Sequence, residues 1–216
     1  MTPSGLTIEP RLITLEGGEG VGKSTVLSAL RDVLLAHGCE VVSTREPGGT
    51  PLAERIRELL LDPTHEAASA ETELLLMFAS RAQHVAERIL PALRRGAWVI
   101  SDRFTDSSHA YQGAGRGLDA AFIDELERRV VGIEPGLTLL LDLGIAHGRE
   151  RTRGRDLLPD RIERERDEFF ERVRGGFLAR AAQFPRRFRL IDASPAAGVV
   201  ADVAVAALRQ YRQDMP

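Results

Sequence analysis

The sequence predicts an α/β fold, a doubly wound five-stranded parallel sheet. Two observations carry that expectation. Five short apolar runs alternate with longer stretches of helical periodicity, and the runs are near-continuous, as in parallel strands covered on both faces. The glycine-rich and charged motifs follow directly on strands, at 17–25, 45–50, 102–112 and 149–161, where parallel sheets bind their ligands.

Taken in order, residues 11–16 (RLITLE) form a buried strand that ends on a glycine-rich loop. Val26, Leu27, Leu30, Val33 and Leu34 share one helical face over 23–37, and Gly38 stops that helix. CEVVSTRE (39–46) is the second strand, followed by the turn Pro47-Gly48-Gly49. Thr50 and Pro51 are the N-cap and first-turn proline of a helix carried on by Leu52, Ile56, Leu59 and Leu60. A long helix spans 71–94. AWVISD (97–102) and LTLLLDL (137–143) are strands three and four, with a helix over 119–131 between them. A charged helical region covers 145–182, followed by the strand FRLIDA (188–193) and a last helix over 195–211. No linker-like tract or repeat divides the chain, so residues 1–216 read as one domain.

A net charge of −3 argues against broad electrostatic binding to nucleic acid or membrane. No apolar run reaches the roughly 18 residues of a membrane span, and MTPSGLTIEP lacks the basic start and apolar core of a secretory signal. A cytoplasmic protein is expected. Cys39, the single cysteine, excludes an internal disulfide and any cysteine-based zinc site, and reads as a small residue at a strand entrance. Lys23 is the only lysine among 29 lysine and arginine residues. The arginine bias reads as compositional drift. A lysine kept against it marks a position where a guanidinium does not serve.

That lysine sits in GGEGVGKST, residues 17–25, where Gly17-x-x-x-x-Gly22-Lys23-Ser24 matches the phosphate-binding loop in full. Gly17, Gly18, Glu19, Gly20, Val21 and Gly22 curl the backbone so that its N–H groups face a β-phosphate, and the helix entered through Ser24 and Thr25 adds its positive end. Lys23 brings a compact charge to the β- and γ-phosphate oxygens, and the Ser24 hydroxyl is a ligand for Mg²⁺. A GTPase would need a second lysine in its guanine-reading motif, and there is none. An ATP-dependent kinase and an ATP-driven switch remain as readings of the loop alone.

Further motifs narrow the choice. Leu15 through Thr25, TREPGGT (44–50), DRF (102–104), AYQGAGRG (110–117) and DRIE (160–163) together resemble bacterial thymidylate kinases in order and spacing, over nearly the whole chain. The resemblance implies phosphorylation of dTMP to dTDP by ATP with Mg²⁺, supplying dTTP for DNA synthesis. It also implies a P-loop nucleoside-monophosphate-kinase fold with a helical lid over about 148–165, and homodimers. The chemistry of the residues agrees independently. A nucleoside monophosphate has a second phosphate pKa near 6, so its attacking oxygen is already ionised and no general base is needed. Cationic clamps that hold two anions in line are needed, and arginines at strand ends provide them.

Residue by residue, the resemblance puts Arg103 and Arg57 on the acceptor phosphate, Asp102 near the metal, and Glu19 at the sugar 3′-hydroxyl. Arg45, Ser107 and Gln112 would line the thymidylate pocket, Tyr111 would crowd the 2′ position, and Arg81 would donate to a thymine carbonyl. The competing reading of Arg57 is a solvated helix residue, and that of Ser107 is plain loop. The family's base-stacking aromatic falls at Met77 here, with Phe78 next to it; Phe78 is expected to stack on the base, although it also continues the core stripe Leu74, Phe78, Val85, Ile89.

In GRERTRGR (148–155), arginines four apart repel unless an anion lies against them or Glu150 and Asp156 offset them. Because the phosphate loop has no internal basic residue, the resemblance assigns the missing catalytic charge to the lid, at Arg153 or Arg155. RDLLPDR is about three residues longer than the family's spacing, which leaves the choice between the two open. Another nucleotide kinase acting on a different base is the enzymatic alternative.

Overall fold

The structure is a computed structural model that describes residues 5–64, 66–152, 160–162 and 164–215. Five parallel strands, β1 (Thr7–Glu16), β2 (Val41–Arg45), β3 (Trp98–Asp102), β4 (Ile133–Asp142) and β5 (Phe188–Asp192), form one sheet in the order β2-β3-β1-β4-β5. The first strand in the chain is therefore the central one. Its register aligns Leu15 with Asp102, and Asp102 with Arg45, so the carboxyl ends of β1, β2 and β3 stand level.

Side-chain alternation along the strands feeds two faces. Ile13, Leu15, Ile100 and Leu139 pack against α1 (Lys23–Ala36) and α9 (Ala197–Asp214), meeting Val26, Leu30, Leu34, Ala204 and Leu208. Leu12 and Val99 face the other way, onto Leu74, Phe78 and Ile89. Leu140 meets Tyr111, Phe169 and Phe177 on that second face. Helices on both faces leave no side of the sheet wet, which is why the strands read as continuous apolar runs.

The caps expected from sequence are present. Thr50 Oγ1 accepts from Ala53 N at 3.2 Å, and Pro51 opens α2 (Pro51–Leu61). The long helix after it is α3 (Ala70–His84), a π-helical turn (Val85–Ile89) and α4 (Leu90–Arg94). The wide turn lies just before Pro91, which lacks an N–H and whose ring would clash with a regular helix behind it.

Five elements differ from the sequence reading. β1 begins at Thr7 and β4 at Ile133, with Thr7–Glu9 pairing Ile133–Pro135 before the register shifts; proline and polar residues hid those strand starts. A helix not read from sequence follows β3, comprising α5 (Thr105–Ser108) and a π-helical segment (His109–Gly115). The helix over 119–131 is α6 (Ala120–Leu126) plus a further π-helical turn (Glu127–Val131). The charged region is α7 (Ile145–Thr152) and α8 (Asp167–Gln183) rather than one helix, with turn residues at 161, 162 and 164.

Candidate active site

The phosphate loop joins β1 to α1. Gly17 has φ 133°, and a Cβ there would lie 2.3 Å from the Leu141 carbonyl oxygen, so no other residue fits against β4. Lys23 Nζ reaches back across the loop, donating to Gly18 O at 2.7 Å and Gly17 O at 3.3 Å. It is 8% exposed. Burial lowers its pKa and Arg103 adds to the effect, while Glu19, Asp102 and Glu16 oppose it. Ser24 and Asp102 line one open cleft beside the loop. Asp102 Oδ1 is buried without a hydrogen-bond partner among the described residues. A hydroxyl and an unpaired carboxylate oxygen are the donor set that Mg²⁺ takes.

Arg103 follows β3 with φ 71°, a left-handed backbone that costs a non-glycine residue on the order of 1 kcal/mol. That turn aims the side chain back at the loop. Nη1 donates to Gly17 O at 2.9 Å and Ser107 Oγ at 3.3 Å, and Nη2 donates to Glu19 Oε1 at 2.5 Å. The guanidinium lies 4.9 Å from the centre of the Tyr111 ring. Glu16, the last residue of β1, fixes the turn from below: its carboxyl accepts Phe104 N–H at 2.8 Å and the Ser107 hydroxyl at 2.6 Å. Burial, and then the neighbouring Asp106, push Glu16 up to about 8. For Glu19 burial works the other way from its partners, and Arg103 and Lys23 hold it down to about 2.

A narrower cavity opens beside Arg103, lined in part by Met77, Arg81, Ser107, Tyr111 and Gln112. The Tyr111 hydroxyl is buried without a partner among the described residues, and burial raises its pKa. Arg57 lines the same cavity and donates to Pro47 O at 3.0 Å. Ser107 stands on a helix, not in a loop.

Two of the expected residues lie apart from this cavity in the structure. Phe78 does not face this cavity. It is 2% exposed, packed in the core with Leu74, Val85 and Ile89, and its ring lies 4.7 Å beneath the Arg81 guanidinium. The cavity wall at that level is Met77. Arg45 lines the cleft shared by Ser24 and Asp102 instead, held by Glu54 at 3.1 Å, because it ends the edge strand β2 alongside α2.

Sequence reasoning missed two buried carboxylates that organise the wall. Glu46 holds Arg81 at 2.6 Å. Glu73 accepts from Gln112 at 2.9 Å, Arg116 at 3.2 Å and Arg161 at 2.8 Å, tying α3 to the AYQGAGRG helix and to the DRIE segment. The available signal was a carboxylate beside the apolar run of ETELLL for Glu73, and one at the end of the second apolar strand, before the turn, for Glu46 in TREPGG. Of the lid arginines, Arg149 pairs with Asp167 at 2.5 Å, and Arg151 donates to Ala193 O and Ser194 O at 2.8 Å. Arg153 and Arg155 lie outside the described residues. α7 rests on the phosphate loop, since a Cβ on Gly148 would meet Glu19 O at 2.9 Å.

With that geometry in place, residues 15–203 match the family model described as thymidylate kinase. The chain is 61% identical over 185 residues to a thymidylate kinase of Chromohalobacter salexigens, covering 85% of this chain and 87% of that one. It is 55% identical over 184 residues to one of Alkalilimnicola ehrlichii, covering 85% of each. Among solved structures it superposes on the thymidylate kinase from Ehrlichia chaffeensis with a TM-score of 0.76 at 32% identity, over 94% of this chain and 99% of that one.

Proposed function

The chain belongs to the thymidylate kinase family, and from that premise we propose which of its residues carry the reaction. The enzyme phosphorylates dTMP with ATP. An oxygen of the dTMP phosphate attacks the γ-phosphorus, the bond to the β,γ-bridging oxygen breaks, and ADP leaves. The attacking oxygen is ionised above pH about 6, so no proton has to be removed.

Lys23 holds the β- and γ-phosphates in the cradle of residues 17–25, and Arg103 with Arg57 holds the acceptor phosphate. Ser24 and Asp102 would bind Mg²⁺, which when present screens the charge between the phosphates. Glu19 takes the sugar 3′-hydroxyl, and Tyr111 fills the space of a 2′-hydroxyl. Ser107 and Gln112 line the base cavity, Met77 packs on the thymine, and Arg81 donates to its carbonyl. Arg153 or Arg155 of the lid supplies the remaining cation. The observation that carries this reading is the Gly17 carbonyl, which accepts from both Lys23 and Arg103 and so sets the two cations on either side of one atom.

A homodimer of single-domain chains in the cytoplasm completes the reading. Exposed Leu52 and Leu59 on α2 and Leu75 on α3 support a second copy as the partner, to be checked by sedimentation across a range of concentrations. No helix among the described residues is long and apolar enough to cross a membrane. The functional test is an acceptor panel of dTMP, dUMP, dCMP, dGMP and AMP with Mg-ATP, reading ADP release. The expected result is dTMP-dependent turnover; slow turnover indifferent to every acceptor would point to an ATP-driven switch.

A further inference from the structure

Along the cavity wall, four side chains form an unbroken hydrogen-bonded row whose last two members, Glu46 and Arg81, line the cavity. Thr44 Oγ1 lies 2.6 Å from His84 Nε2, and His84 Nδ1 lies 2.9 Å from Glu46 Oε1. Glu46 Oε2 in turn accepts from Arg81 Nε at 2.6 Å. His84, Glu46 and Arg81 are all at least nine-tenths buried. Polarity fixes the direction of the row. Burial alone would raise the Glu46 pKa, but Arg81 and His84 lower it, so the carboxylate is ionised and only accepts. His84 Nδ1 then carries the hydrogen between ring and carboxylate, and the Thr44 hydroxyl closes the row at Nε2.

The loop TREPGGT is shaped around this row. Gly49 has φ 87°, and a Cβ there would lie 2.5 Å from two atoms of the His84 ring and 2.7 Å from Thr44 Oγ1. Gly48 N donates to Ser80 Oγ at 3.2 Å. Ser80, Arg81 and His84 of α3 thus dock on the loop together. At the far end, Arg81 Nη1 donates to Ser108 at 3.0 Å and Nη2 to Phe104 O at 3.1 Å, over the ring of Phe78. Among the described residues three of the five guanidinium hydrogens are engaged, and Arg81 lines the cavity with two donors left over.

We propose that Glu46, His84 and Thr44 are positioning residues for base selection, holding the plane of Arg81 so that its two remaining N–H donors meet a carbonyl of the base and reject an amino group. The proposal rests on the reading of Arg81 as the donor to thymine. A guanidinium has no acceptor, so it discriminates only while its orientation is fixed. A guanidinium free to swing would tolerate the 4-amino group of cytosine by turning away. The TREPGGT loop therefore contributes to base choice by fixing Arg81 of α3, in addition to lining the cavity with Glu46 and Pro47.

The test is the ratio of kcat/KM for dTMP over dCMP. It is measured in the unaltered enzyme, in Arg81→Ala, in His84→Ala and Thr44→Val, and in the double variant His84→Ala/Arg81→Ala. Arg81→Ala is expected to collapse the ratio. His84→Ala is expected to lower it by roughly fivefold or more, through KM for dTMP, with kcat changed by less than about twofold. In the Arg81→Ala background the same change is expected to do nothing further. Thr44→Val removes one hydroxyl, and a loss of ratio there carries the proposal should His84→Ala lower the melting temperature. If Arg81→Ala leaves the ratio intact, base reading by Arg81 falls and the proposal with it. If Arg81→Ala collapses the ratio while His84→Ala and Thr44→Val leave it unchanged, the positioning role alone falls. It falls likewise if His84→Ala acts equally strongly without Arg81.

Discussion

Lys23 and Arg103 donate to the same carbonyl oxygen, that of Gly17, at 3.3 and 2.9 Å. One cation comes from the start of α1 and the other from the turn after β3, 80 positions later in the chain. A backbone atom fixed in the central strand's loop registers both. Phosphoryl transfer gains most from such pre-set alignment, because little covalent chemistry is left for side chains to do.

Lys23→Arg is expected to fold normally and to lose roughly a hundredfold or more in turnover. A planar, wider guanidinium cannot take the place of a point charge inside the curl of residues 17–22. Because Lys23 is the only lysine, an amine-directed reagent applied after the N-terminus is blocked should add one label. Activity should fall in step with labelling, and Mg-ATP should slow both. Equal labelling rates with and without Mg-ATP would remove Lys23 from the phosphate site.

Glu16 gives a pH signature. Its folded pKa, about 8, lies above its ordinary 4.5, so the folded chain holds a proton that the unfolded chain has released. Its contribution to stability is full below pH 4.5 and is lost as pH rises toward about 8. Glu16→Gln, which cannot ionise, is expected to show a smaller fall in melting temperature across that window than the unaltered enzyme. Parallel melting curves would show that the carboxyl is ionised throughout.

Met77 and Phe78 should separate cleanly. Phe78→Ala opens the core beneath Arg81 and is expected to cost roughly 3–5 kcal/mol of stability. Met77→Ala is expected to spare the melting temperature and raise KM for dTMP by roughly tenfold. Thermal melts and steady-state kinetics on the two variants decide it. The reverse pattern would return the stacking role to Phe78.

Arg153→Ala and Arg155→Ala are expected to identify the lid cation: one of them should lower kcat by roughly tenfold or more, while the dissociation constant of dTMP moves little. A double variant with near-normal turnover would transfer the charge to another residue.

The strands and the phosphate loop were legible because apolar runs, glycines and caps act locally. The helix Thr105–Gly115 was not. DSSHAYQG is poor in strong helix formers, and its start is held by Glu16, 88 positions away. Which of Met77 and Phe78 lines the cavity was not legible for a related reason: adjacent helix positions lie about 100° apart, and only the tertiary packing decides which faces the cavity. Arg81 was legible as a residue of the cavity, whereas the Glu46 and His84 that hold it were not, since the row joins residues 35 and 38 positions apart. Sequence motifs mark what lines the cavity more readily than what holds those groups still.

The central place of β1 has a consequence for synthesis. The phosphate loop leaves the ribosome well before both neighbours of its strand, which are made much later, β3 at Trp98–Asp102 and β4 at Ile133–Asp142. A nascent chain that stops short of β3 carries Gly17–Lys23 with neither Asp102 nor Arg103 beside it, and without Leu141 the loop has nothing to curl against. Nucleotide affinity should therefore arise late and abruptly during translation, once the non-local pairing on both sides of β1 has closed. An unfinished chain then has no means of hydrolysing ATP to no purpose.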